Sequence, residues 1–171
     1  MKVAPTKRAM GSHQSAKMIS EVWLTPRYIL EPLGDFDLDP CAATSRPWPT
    51  ARKHYTKEDN GLLLPWEGRV WCNPPYGLQA AKWLQKCAAH KNAIALVFAR
   101  TETAMFFDWV WPHASALLFI RGRLHFCHAN GIRAKANSGA PSVLIAYGEE
   151  NAGILRSSGI RGAFVGAKDV I

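Results

Sequence analysis

The chain of 171 residues is 48% hydrophobic and carries 21 Lys and Arg against 13 Asp and Glu, a net charge of +8. This length and apolar content suit one globular domain with a substantial core and leave too little chain for a second. The positive balance points to a polyanionic partner and away from an acidic protein or a neutral metabolite. No run reaches the ~18 apolar residues of a membrane span, and the first twenty residues lack a secretory apolar stretch, so a cytoplasmic protein without a membrane partner is expected.

Residues 1–20 hold four Lys/Arg and no acid. They read as a flexible basic arm, either an inert tail or a grip on phosphates. Residues 21–171 read as the single domain. Thr25-Pro26 suits an N-cap with proline at the first helical position, which predicts a short helix over 26–33 ended by Gly34. Strands are expected at Phe36–Asp39 and, within a Pro-, Thr- and Arg-rich loop region over 40–66, at His54–Thr56. The pattern then sharpens. Arg69–Cys72 reads as a strand, Leu78–His90 as a helix with Leu78, Ala81, Leu84 and Ala88 on its apolar face, and Ala93–Ala99 as a buried strand. A helix over Glu102–Val110 and a strand over Ser115–Ile120 follow. The alternation predicts an α/β fold with a mostly parallel sheet. Ser142–Tyr147 adds a strand near the end, read as antiparallel, and the last twenty residues give no firm reading. Cys41, Cys72, Cys87 and Cys127 form no C-x-x-C pair and read as free thiols. No metal site is expected, since the run His125-Phe126-Cys127-His128 lacks a second ligand segment.

The chemistry concentrates in Asn73-Pro74-Pro75-Tyr76-Gly77, between a strand and a helix and so at the carboxyl edge of a parallel sheet, where ligands bind. Two prolines remove two N–H donors and stiffen the loop, which leaves acceptors: the Asn73 side-chain oxygen and the Pro74 carbonyl. With the flat ring of Tyr76 beside them, these suit a planar exocyclic amine such as a nucleobase carries. The bland alternative is a strand-to-helix turn with Tyr76 in the core.

Asn-Pro-Pro-Tyr resembles the motif of methyltransferases acting on amino groups of adenine, cytosine or glutamine. Further segments narrow the likeness: Trp23-Leu24-Thr25-Pro26, Phe36-Asp37-Leu38-Asp39-Pro40-Cys41-Ala42-Ala43, Tyr55-Thr56, Asp59-Asn60-Gly61-Leu62, Trp66 and Arg100-Thr101-Glu102-Thr103. With Gly11-Ser12-His13, Gly122-Arg123 and Phe126, the stretch from Gly11 to Gly148 resembles the phage-encoded DNA adenine-N6 methyltransferase family. The resemblance implies a compact, abbreviated Rossmann-like fold, S-adenosylmethionine as cofactor, and double-stranded DNA as partner; the sequence leaves the oligomeric state open, with a slight lean to a monomer. It implies a catalytic set of Asn73, Pro74, Pro75 and Tyr76 acting on a flipped-out adenine, in the setting of DNA modification or restriction-modification. Asp39-Pro40-Cys41 resembles the cofactor loop, although the expected glycines are absent and little chain remains for a helix and second strand with a ribose-binding acid. Either the pocket is abbreviated or Asp37 and Asp39 serve the ribose. Asp59 falls near the cofactor adenine, and Thr25 and Pro26 close the pocket. Arg100 and Thr101 are candidate DNA contacts, with helix capping by Thr101 as the alternative. From Trp109 to Gly148 there is no Asp or Glu, and Arg121, Arg123, Arg133 and Lys135 make residues 121–140 the expected DNA-contacting segment. The rival readings are a non-catalytic DNA-binding protein that keeps the fold, and a cytosine-N4 methyltransferase.

Overall fold

A computed structural model describes residues 22–167; the basic arm and Gly11-Ser12-His13 lie outside them. Among these residues, seven strands form one mixed sheet: β1 (Leu38–Asp39), β2 (Lys53–His54), β3 (Val70–Cys72), β4 (Ala93–Phe98), β5 (Ala116–Ile120), β6 (Ser142–Tyr147) and β7 (Gly162–Gly166). Their order is β2-β1-β3-β4-β6-β5-β7. The first four run parallel, whereas β6 pairs antiparallel with both β4 and β5, and β7 antiparallel with β5. The α-helices are α1 (Arg27–Leu30), α2 (Ala80–His90), α3 (Ala104–Trp109) and α4 (Glu149–Ser157).

The central strands are nearly continuous apolar runs, as strands covered on both faces must be. Their period of two splits the core into two layers. Ala93, Ala95 and Val97 of β4 pack with Trp83, Leu84 and Cys87 of α2 and Phe106 of α3. Ile94 and Leu96 pack on the other face with Ile29 and Leu30 of α1 and Ala152 and Leu155 of α4. This layering is compatible with a Rossmann-like fold.

Several expectations shift. The buried face of α2 runs through Ala80, Trp83, Leu84, Cys87 and Ala88, and Leu78 is 98% exposed. Gly77 at φ +104° delays the helix, and the large Trp83 ring sets which stripe turns inward. Thr25 does not cap α1, whose N-cap position is Pro26; a 3-10 turn over Glu31–Leu33 follows, ended by Gly34 at φ +74°. Thr103 rather than Thr101 occupies the N-cap position of α3. The crossover from β4 through α3 to β5 does not place those strands side by side, because β6 inserts between them. After Asp39 the connection is abbreviated: residues 40–52 cross over without a helix, and the short strand expected at His54–Thr56 forms one residue earlier as β2, pairing parallel with β1 through Leu38–Lys53 and Asp39–His54.

Candidate active site

From β1 the chain turns outward to β2, then returns past β1 to β3, so the sheet grows in opposite directions from β1. That reversal is a topological switch point, and the crevice beyond the carboxyl ends of β1 and β3 is where such sheets bind ligands. Asp39-Pro40-Cys41 leaves one lip of it and Asn73-Pro74-Pro75-Tyr76 the other. Because β1 to β5 all point the same way, the segments after β2, β4 and β5 emerge on the same edge. The fold thereby gathers Asp59, Arg100, Thr101, Arg121 and Arg123 at the edge that holds Asn73.

Asn73 is half-buried, and its two sides differ. Its Nδ2 donates to the Trp23 carbonyl at 3.4 Å and to Thr25 Oγ1 at 3.2 Å, whereas its buried Oδ1 has no partner among the described residues. An amide offers two donors and one acceptor oxygen. Here both donors are committed, and what remains for a ligand is an acceptor. A buried polar atom left unpaired carries a cost on the order of 1–3 kcal/mol, which a ligand N–H would relieve. The Pro74 carbonyl likewise receives no hydrogen bond among the described residues. Pro74 is buried and Pro75 exposed.

Tyr76 packs as much as it presents. Its ring stacks on Phe98, centroids 4.2 Å apart with planes 1° from parallel, and meets Phe126 edge-on at 6.2 Å. The buried phenol oxygen has no hydrogen-bond partner among the described residues, and burial pushes its pKa above the ordinary tyrosine range. Sequence alone does not point to Phe98 as the backing of this ring; its position as the last residue of a strand beside β3 is the available signal.

On the other lip, Asp39 is buried, and its carboxylate faces its own loop. It accepts from Thr50 Oγ1 and from the Cys41 amide at 3.1 Å, and burial raises its pKa to about 6. Cys41 Sγ lies 3.8 Å from Cys72 Sγ, so the thiols that sequence spacing scattered pack together beneath the crevice, and burial pushes both up. Beyond β2, Asp59 accepts the Thr56 amide at 2.7 Å and the Thr56 hydroxyl at 3.0 Å, both on Oδ2, and these bonds lower its pKa. Glu58, unnoticed in the sequence, receives Thr56 Oγ1 at 2.8 Å and Thr44 Oγ1 at 3.3 Å, which ties this turn to the loop after β1. Asp37 stands at the opposite, amino end of β1. Its carboxylate takes the Arg69 amide at 2.7 Å and faces Arg52 at 3.6 Å, clamping the turn at Gly68, where a Cβ would lie 2.3 Å from Asp37 Oδ2.

The basic residues are exposed: Arg100 after β4, and Arg121, Arg123, Arg133 and Lys135 in the connection from β5 to β6. That connection doubles back on itself, with His128 N bonded to Ile132 O and Ala134 N to Phe126 O. Gly131 supports the turn at φ +84° against Pro47 and Trp48. Cys127 exchanges two 2.9 Å backbone bonds with Leu24, which places the basic connection beside the Trp23-Thr25 segment that holds Asn73. His125 bonds the Ala134 carbonyl through Nδ1 at 3.1 Å. Thr101 offers its carbonyl to Trp111 Nε1 at 3.2 Å.

The α/β sheet thus carries an acceptor-lined loop at its switch point and a basic rim on the same edge. The family of DNA N-6-adenine-methyltransferases (Dam) matches residues 12–160, and the chain belongs to it. No match was found among curated proteins or among solved structures. No helix of the described residues is long and apolar enough to cross a membrane.

Proposed function

We propose that this chain transfers a methyl group from S-adenosylmethionine to the exocyclic N6 of an adenine flipped out of double-stranded DNA. The observation that carries this reading is the unpaired Asn73 Oδ1: a buried acceptor beside a second acceptor, the Pro74 carbonyl, at the carboxyl edge of β3. Membership of the family supports adenine as the base.

A base within a duplex cannot enter such a crevice, so extrusion costs a few kcal/mol, and stacking against an aromatic ring returns about 1–3 kcal/mol of it. Tyr76, backed by Phe98, is the ring in reach of the motif. Asn73 Oδ1 and Pro74 O accept the two amine hydrogens and draw the nitrogen from planar toward tetrahedral geometry, which exposes its lone pair. S-adenosylmethionine, when bound, supplies an electrophilic methyl on a sulfonium leaving group. The chain's contribution is to align the nitrogen with it, and positioning of this kind supplies much of such a rate enhancement.

The residues of the other lip fit the cofactor. Asp59 lies in the turn that follows β2, on the carboxyl edge of the sheet, where it borders the place expected for the cofactor's adenosine. Its Oδ1 has no partner among the described residues and its low pKa keeps it ionised. Asp39, Pro40 and Cys41 shape the loop and Pro26 borders it from the N-terminal side, whereas the Thr25 hydroxyl is taken up by Asn73. Asp37, turned to the far end of the sheet, belongs to the scaffold in this reading. Arg100, Thr101, Arg121, Arg123, Arg133 and Lys135 form the DNA-facing rim.

Incubation with duplex DNA and S-adenosylmethionine, followed by nucleoside analysis, tests the proposal. N6-methyladenine is expected. N4-methylcytosine would replace the base, and unmodified DNA despite measurable cofactor binding would leave a DNA-binding protein without transferase activity.

A further inference from the structure

We propose that Thr25 is a positioning residue for the target amine: its hydroxyl, together with the Trp23 carbonyl, holds the Asn73 amide so that Oδ1 faces the substrate. This rests on the reading of Asn73 given above and adds to it the device that orients the group.

The two ends of an amide have almost the same shape, and only their partners decide which way it points. The Trp23 carbonyl, 3.4 Å from Nδ2, can only accept. Were the amide reversed, two oxygens would face each other there with no proton between them. That contact sets the sense, but it is long and leaves the second N–H unplaced. Thr25 Oγ1 takes that N–H at the shorter 3.2 Å. Thr25 is only 2% exposed, so water cannot readily replace its hydroxyl, and its backbone is pinned on both sides. Leu24 exchanges two bonds with Cys127, and the Pro26 carbonyl receives Ile29 N at 3.0 Å as α1 begins. Thr25 also leaves the capping of α1 undone, although Thr is a favoured capping residue. Without the hydroxyl, one N–H of a half-buried amide has no acceptor, the amide turns in search of one, and Oδ1 leaves the position where an amine nitrogen must be pulled out of plane.

The test is steady-state methylation by Thr25→Val, which keeps the shape and removes the hydrogen-bonding oxygen, beside Thr25→Ser, which restores it, with cofactor affinity measured by titration calorimetry. For Thr25→Val, kcat is expected to fall about tenfold, as the loss of one buried hydrogen bond to an active group would give. KM for DNA and the S-adenosylmethionine Kd should stay unchanged, and Thr25→Ser should recover most of the rate. A Val variant at wild-type turnover, a loss that appears in cofactor affinity, or a Ser variant as slow as Val overturns the proposal. Should the Val protein melt early, Thr25→Ala against Thr25→Ser makes the same comparison. Asn73→Ala run alongside separates the two levels: if it keeps turnover, the reading of the site falls and Thr25 with it, whereas a dead Asn73→Ala with unimpaired Thr25→Val removes Thr25 alone.

Discussion

Asn73 and Tyr76 show how differently two neighbours in one motif are used. Asn73 has a buried, unpaired acceptor, and if that acceptor takes the target amine as proposed, Asn73→Ala should abolish transfer while S-adenosylmethionine affinity stays within a few fold, the loss of a transition-state interaction leaving ground-state binding intact. A variant that retains a tenth of wild-type turnover would remove Asn73 from that role. Tyr76 has an unpaired buried hydroxyl and a stacked ring. Tyr76→Phe removes a polar atom that satisfies nothing, so it should leave turnover nearly intact and stability unchanged or raised by about 1 kcal/mol. Tyr76→Ala gives up the packing on Phe98 and Phe126 and should cost about 3 kcal/mol of stability, and turnover should fall by about one to two powers of ten where the folded protein is assayed. Equal losses in the two variants would mean that the hydroxyl matters. The motif's acceptor chemistry was legible in sequence because it follows from residue types alone. Its orientation was not, because the partners of Asn73 lie 48 and 50 positions away and no local pattern joins them.

At the level of elements, legibility followed length. β3, β4, β5 and β6 are apolar runs whose period or continuity marks them, and they fall within one or two residues of the expected ends. β1 and β2 are two residues each, too short for any period, and their pairing is sustained by the loop between them. That loop is organised by polar interactions: Thr50 donates its hydroxyl to Asp39 and its amide to His54 Nε2 at 3.2 Å, and Ala42 N bonds Tyr55 O at 2.9 Å. α4 lies where the sequence gives no firm reading although signals are present, with Glu149 and Glu150 in the first turn, Arg156 in the last, and Ala152 and Leu155 three apart on the buried side. The loop carries a pH dependence of unusual sign. Asp39 shifts from 3.8 to about 6 because burial disfavours its charge, so the native state holds the proton more tightly than the unfolded chain. The stability this confers is complete below about 3.8, is lost as pH rises through about 6, and is absent above, an effect on the order of 3 kcal/mol. Asp39→Asn, which keeps an acceptor for Cys41 and meets the Thr50 hydroxyl with an N–H, should abolish that slope. Urea unfolding of both proteins at pH values of about 4.5 and about 7.5, on either side of the native titration, measures it. His54, whose pKa burial lowers, titrates in both and cancels in the comparison. The same pH dependence in wild type and variant would show that Asp39 is ionised at no cost.

Over the whole molecule, the sequence carried the charge asymmetry but not the strand order. The acid-free stretch announced a one-signed surface, yet nothing in it fixed that β6 would enter between β4 and β5, since that choice depends on which apolar faces fit across distant strands. The order matters to function. By inserting β6 antiparallel, the fold makes the connection of 121–141 span the carboxyl edge and double back beside Leu24, so the basic rim stands next to the segment that holds Asn73. Arg121, Arg123, Arg133 and Lys135 are all exposed and none has an acidic partner within ion-pair distance among the described residues, which leaves them free for phosphates. Pairing with phosphates releases condensed counterions and carries no sequence information. Neutralising the four together should therefore weaken binding to cognate and unrelated duplexes alike. The log–log dependence of affinity on salt should flatten by about 0.9 for each phosphate that is no longer neutralised, as read by fluorescence anisotropy between low and physiological ionic strength. Folding and S-adenosylmethionine affinity should be unaffected, because these exposed side chains belong to neither core layer. An unchanged slope would move the DNA surface off this connection; a loss confined to the cognate duplex would instead make these residues readers of base edges, since ion pairs with phosphates strengthen every sequence equally.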